Sequence, residues 1–199
     1  MNLANKITIS RIILIPVVMA FLLSPGSLSF LGIGFQWGAV AAGLVFILAA
    51  LTDTLDGYMA RSRGEVTVLG QILDPLADKL LISAALISLV SLGNLSAWVA
   101  VIIIGREFAV TGLRMAAAVK HIVIPASGWG KTKTVFQILA ITFLIIQPSF
   151  PLINIQVVWI LLGVEWTLIM VALALTVFSG IDYFVKSYGA LFAEEGALD

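Results

Sequence analysis

Apolar runs of bilayer-crossing length follow one another along nearly the whole chain, and that succession limits the fold more than any other feature. A helix needs roughly 20 apolar residues to cross the hydrocarbon of a membrane. The runs divide into six such spans, at about Ile7–Leu23, Phe35–Tyr58, Thr67–Leu92, Ser96–Val119, Lys133–Leu152 and Thr167–Ser187. Turn chemistry marks the breaks at Ser24-Pro25-Gly26, at Leu92-Gly93-Asn94, and at Gln147-Pro148-Ser149 with Pro151. Pro16 is expected to kink the first span. Residues Ile153–Trp166 read as a partly interfacial lead-in, because together with the sixth span they are too long for one straight crossing. The spans consume most of the 199 residues, so the chain reads as one integral-membrane domain, 1–199, of all-α polytopic class. Composition agrees: 61% of residues are apolar and only 11% charged, where soluble domains carry about 25% charged residues. Such hydrophobicity excludes disorder. Zero net charge supplies no field for nucleic acid, and the absence of cysteine excludes disulfides and thiolate chemistry.

Charge placement orients the spans. The cations are Lys6, Arg11, Arg61, Arg63, Lys79, Arg106, Arg114, Lys120, Lys131, Lys133 and Lys186. The connections near 24–36, 92–96 and 147–155 contain none of them. By the positive-inside rule this predicts six transmembrane helices with both termini cytoplasmic. Trp37, Trp98 and Trp159 then fall near the opposite interface and Trp129 near the cytoplasmic one. The first span has the charge and short apolar run of a signal peptide, but Pro25 stands where small residues would be needed for cleavage, and further spans follow.

Four of the eleven acidic residues stand at the facing ends of spans two and three: Asp53, Asp56, Asp74 and Asp78. Asp53 and Asp56 are three apart, Asp74 and Asp78 four apart, so each pair shares a helix face. A short turn with Arg61, Arg63 and Gly64 is expected to bring the two faces together. Carboxylates in a membrane helix cost a few kcal/mol each, and four like charges repel. A divalent cation relieves both costs, and all-oxygen donors suit Mg²⁺, Mn²⁺ or Ca²⁺. Gly57, Ala60 and Gly70 accompany the acids and allow close approach of a ligand or a neighbouring helix.

As written, the segment is Asp53-Thr-Leu-Asp56-Gly57-Tyr-Met-Ala60-Arg61, eight residues, then Gly70-Gln-Ile-Leu-Asp74-Pro-Leu-Ala-Asp78. It resembles the signature of the CDP-alcohol phosphotransferases, D-x2-D-G-x2-A-R-x8-G-x3-D-x3-D, at every specified position and in the spacer. The resemblance implies the six-helix fold of that family, transfer of a phosphatidyl or similar group from a CDP-linked donor to an alcohol, and release of CMP. It implies two Mg²⁺ or Mn²⁺ ions. Asp53, Asp56 and Asp74 would hold one ion, and Asp53, Asp74 and Asp78 the other, with Asp78 as general base. Asp56, Gly57, Ala60, Arg61 and Thr67 would contact the CDP moiety. A homodimer in the bacterial cytoplasmic membrane, multi-pass and with its active site facing the cytoplasm, is implied as well.

The second half holds basic residues that the acidic motif does not require. Arg106 and Arg114 are eight apart and can share a helix face. With Lys131 and Lys133 they suggest a site for a second anion, such as a phosphate on the acceptor. Glu107 reads as the partner of a neighbouring base. Choline or ethanolamine would not call for such a cluster. The Arg106-Glu107-Phe108…Gly112-Leu113-Arg114 and Gly130-Lys131-x-Lys133-Thr134-x2-Gln137 stretches, Asn5-x2-Thr8-x2-Arg11 and Ser179-Gly180-x2-Tyr183-Phe184 resemble family members that use glycerol 3-phosphate. The implied reaction joins CDP-diacylglycerol and sn-glycerol 3-phosphate to give phosphatidylglycerophosphate and CMP. A myo-inositol phosphate acceptor is the nearest alternative. A divalent-cation transporter is the rival outside enzymes, but the acids gather near one side rather than along a path through the bilayer. His121 reads as solvated and interfacial, and Glu165 as interfacial without an assigned partner.

Overall fold

A computed structural model describes residues 3–23, 35–63, 68–119, 128–150 and 154–192. Side chains within 52–76 and at Asp78 lie outside the described set, although the helical backbone there is included. Among the described residues the chain is all-helical: α1 (Leu3–Leu23), α2 (Phe35–Arg63), α3 (Val68–Ser91), α4 (Ala97–Val119), α5 (Gly128–Ile146) and α6 (Ile155–Phe192). One 3₁₀ turn, Gln147–Ser149, closes α5. Among the described residues two stretches are long and apolar enough to cross a membrane, Trp129–Ser149 and Ile155–Tyr188. Shorter apolar helix stretches lie at Ile12–Leu23, Trp37–Leu51 and Lys79–Ser91.

The sequence signals explain the element ends. α3 stops at the expected Leu92-Gly93-Asn94 break because Gly93 adopts φ of 76°, a conformation open to glycine. The Gly93 amide then donates to the Val90 carbonyl and the Asn94 amide to the Leu89 carbonyl, each at 3.0 Å. These bonds satisfy carbonyls that a helix end otherwise leaves open. α6 starts at an asparagine cap: Asn154 Oδ1 accepts from the Gln156 amide at 2.9 Å. α1 runs through Pro16 as one helix. α5 begins at Gly128, ahead of the expected Lys133. Gly128 and Gly130 fall in its first turn rather than in the helix interior, where glycine's conformational freedom costs most.

α6 corrects the expected sixth span. Instead of a separate lead-in over 153–166 followed by a span at Thr167–Ser187, one helix of 38 residues runs from Ile155 to Phe192. The stretch 155–166 contains no proline, and an apolar backbone away from water must satisfy its polar groups internally. Gln147 Nε2 donates to Glu165 Oε2 at 2.9 Å, so Glu165 stands level with the end of α5. The earlier part of α6 therefore extends past the end of α5 by roughly 15 Å, at 1.5 Å per residue. This contact also supplies the partner of Glu165 that the sequence left open.

α1 packs on α2 and α3, α2 on α5, α3 on α4, and α6 on α4 and α5. The apolar core joins Val18 and Leu22 of α1, Ala42 and Phe46 of α2, Leu81, Ala85 and Leu89 of α3, Ile103 of α4, and Ile141 and Leu144 of α5. At Gly43 the fit is backbone-close: a methyl there would come 2.6 Å from Ile146 Cγ1. α6 adds only partly buried apolar side chains to this core, Ile169 and Leu173.

Candidate active site

The turn at Gly93 folds α4 back along α3, which sets two groups of candidate residues at one end of the bundle. At 1.5 Å per residue, position 78 on α3 lies roughly 20 Å from the turn, and Arg106 and Arg114 on α4 roughly 14 and 26 Å from it. Helix positions 74 and 78 and the two arginines therefore occupy the same depth range. Asp53, Asp56, Gly57, Ala60 and Arg61 lie in the last three turns of α2, and Asp74 and Asp78 in the first half of α3. The side chains of these seven residues, and all of Thr67, lie outside the described residues, as does His121.

The basic half of the site is described in detail. Lys133 of α5 is 3% exposed, and its ammonium pairs with Glu107 Oε1 of α4. Arg106 Nη1 meets the same carboxylate oxygen at 3.4 Å. Arg106 Nη2 donates to Ser179 Oγ of α6 at 2.5 Å. Arg106 Nε is buried without a hydrogen-bond partner. Arg114 Nε donates to the Tyr183 hydroxyl at 3.2 Å, and its guanidinium carbon stands 5.1 Å from the Tyr183 ring centre. Arg114 is itself exposed, whereas Tyr183 is buried. The cluster thus has a buried floor at Lys133, a partly buried Arg106 beside it, and an open rim, Arg114.

Local sequence dictates this arrangement. Arg106 and Arg114 rise two turns apart on α4, as their spacing predicts, and Glu107 turns toward the basic group of α5. Lys131 differs from Lys133 in burial. It is exposed on α5, because residues two apart on a helix point in different directions and the buried direction belongs to Lys133. Gln137, one turn beyond Lys133, is also buried. Ser179 and Tyr183 complete the cluster, a role that the sequence reading gave to neither. Their four-residue spacing among buried small residues on α6 is the signal that carries it.

Among the described residues the cluster gathers three cations, Arg106, Arg114 and Lys133, with one carboxylate, Glu107. A buried guanidinium N–H without an acceptor, such as Arg106 Nε, costs about 1–3 kcal/mol. A phosphate monoester offers several anionic oxygens that such a basic group can bind.

Over residues 1–178 the chain matches the model of the family described as CDP-alcohol phosphatidyltransferase, and it belongs to that family. It is a transferase by that membership. It is 44% identical over 208 residues to the CDP-diacylglycerol–glycerol-3-phosphate 3-phosphatidyltransferase of Bacillus subtilis (strain 168), covering 96% of this chain and 97% of that protein. It is 40% identical over 187 residues to a probable phosphatidylglycerophosphate synthase of Mycobacterium tuberculosis (strain CDC 1551 / Oshkosh), covering 94% and 81%. A CDP-diacylglycerol–glycerol-3-phosphate 3-phosphatidyltransferase of Pseudomonas fluorescens is 37% identical over 191 residues, covering 92% of this chain and 88% of that protein.

Proposed function

We propose that this chain transfers the phosphatidyl group of CDP-diacylglycerol to sn-glycerol 3-phosphate, forming phosphatidylglycerophosphate and CMP. The observation that carries the acceptor is the gathering of Arg106, Arg114 and Lys133 with Ser179 and Tyr183 in one cluster. A phosphate monoester dianion offers charged oxygens to such a basic group, and a neutral or cationic alcohol does not. The names of the Bacillus subtilis and Pseudomonas fluorescens relatives carry the same donor and acceptor.

In this reading the acceptor phosphate sits against Arg106, Lys133 and the rim residue Arg114. That anchorage aims the free hydroxyl at the donor phosphorus, and positioning supplies much of the rate in phosphoryl transfer. Asp78 accepts the hydroxyl proton as the new oxygen–phosphorus bond forms. The bond from that phosphorus to the bridging oxygen of the diphosphate breaks, and CMP leaves with the electron pair. Asp56, Gly57, Ala60, Arg61 and Thr67 hold the cytidine diphosphate. The donor set Asp53, Asp56, Asp74 and Asp78 is all oxygen and fits two Mg²⁺ or Mn²⁺ ions, which would neutralise charge on the diphosphate.

The membrane reading is six spans with both termini cytoplasmic, in the cytoplasmic membrane of a bacterium, as a homodimer. The distribution of Lys and Arg supports the orientation. The active end of the bundle then faces the compartment that supplies a soluble phosphate. The deciding experiment is CMP release by purified protein with Mg²⁺ and CDP-diacylglycerol, adding candidate alcohols one at a time. Release dependent on glycerol 3-phosphate is the expected result. Release only with inositol phosphate or serine would discard the acceptor, and none with any alcohol would discard the chemistry.

A further inference from the structure

The inner face of α6 is polar where it meets α4. Ala172, Thr176, Ser179, Tyr183 and Ser187 are all buried and recur at helical spacing. Thr176 and Ser187 spend their hydroxyls within α6, on the carbonyls of Ala172 and Tyr183, at 2.6 and 2.7 Å. Ser179 and Tyr183 instead reach across to the two arginines of α4. Between them Gly180 lets the helices close: a methyl there would come 3.1 Å from Arg106 Cγ.

We infer that Ser179 and Tyr183 are positioning residues for the acceptor site, and that Tyr183, by holding Arg114, sets the affinity for the acceptor's phosphate. This rests on the proposed acceptor. The chemistry favours Tyr183 as the stronger contributor. Arg114 is on the exposed rim, where an arginine side chain loses much rotamer freedom on binding an anion. The ring of Tyr183 stacks on the guanidinium, and its hydroxyl accepts from Nε. The two terminal nitrogens remain available for a bidentate grip on phosphate oxygens. An arginine fixed in advance forfeits less entropy at the moment of binding. Ser179 acts similarly on Arg106, but that side chain is already confined by burial and by Glu107.

The test is steady-state CMP release by the full-length protein in lipid vesicles, with each substrate varied in turn. Tyr183→Ala should raise KM for glycerol 3-phosphate roughly tenfold, the equivalent of one charged hydrogen bond. KM for CDP-diacylglycerol should stay within about twofold, since no donor contact is removed. Tyr183→Phe should fall between, keeping the stack and losing the hydroxyl, and Ser179→Ala should show the smallest rise. Equal rises in both KM values, or a fall in kcat alone, would overturn the inference and leave a packing role. Should Tyr183→Ala fail to fold, Tyr183→Phe decides alone, and an unchanged KM for glycerol 3-phosphate would reject the role. A wild-type protein that ignores glycerol 3-phosphate would instead reject the acceptor itself, and is distinguished before any variant is made.

Discussion

Where α1, α2, α3 and α5 meet, the buried side chains include Val18, Phe46, Leu81, Leu86 and Leu144; where α4, α5 and α6 meet, Lys133, Gln137, Ser179 and Tyr183 are buried alongside small residues such as Ala117 and Ala172. The two seams obey different physics. Lipid tails are as apolar as leucine, so in a membrane the first seam holds by shape and dispersion rather than by escape from water. Gly43 against Ile146 shows how close that fit is. The second seam, although it too closes tightly at Gly180, carries ionised groups at a cost that membrane helices rarely tolerate without a task. One seam therefore sets the stability of the bundle and the other its chemistry, and variants can separate the two.

The largest expected loss lies beside the charged seam. Asp78→Asn should reduce transfer by about a thousandfold, as removal of a general base does, while binding of the CDP donor remains measurable; turnover near wild type would remove Asp78 as the base. Lys133→Met should lower transfer at limiting glycerol 3-phosphate by about a hundredfold or more, and should also lower thermal stability, because it breaks a buried ion pair. Adding Glu107→Gln should restore part of the stability, since Arg106 also loses its carboxylate partner, without restoring the activity. Recovery of both would make the charged seam a structural device and collapse the contrast. Phe46→Ala in the apolar seam should cost about 3–5 kcal/mol of stability, with both KM values of the surviving folded enzyme unchanged. A selective change in acceptor KM there would show that the seams are coupled. The smallest effect belongs to Glu165→Gln, which keeps a hydrogen-bonding group opposite Gln147; stability should move by less than about 0.5 kcal/mol and transfer not at all.

Much of this was legible in the sequence because it rests on local rules. Gly93 ends a helix whatever surrounds it, and Arg106 and Arg114 share a face because the spacing is fixed by the helix itself. Glu107 was expected to pair with a base, and it does. What escaped depends on contacts distant in sequence. Lys131 and Lys133 were equivalent while α5 was expected to begin at Lys133; the earlier helix start at Gly128 turns one outward and buries the other. Ser179 and Tyr183 lie more than sixty residues from their arginines, and no periodicity on α6 names its partner. The lead-in to α6 was misjudged by weighing length against a single straight crossing, whereas the helix simply continues.

The extra length of α6 sets up a hydrophobic mismatch. Its apolar stretch, 34 residues from Ile155 to Tyr188, measures roughly 50 Å along the axis, against about 30 Å of hydrocarbon. Trp159 and Ile160 are exposed on the projecting part. Such a helix leans, or thickens the bilayer around itself, at a modest cost per ångström. Because the same rod carries Ser179 and Tyr183 at its other end, lean at one end is displacement at the other, and the thickness of the surrounding membrane enters the geometry against which Arg106 and Arg114 are held.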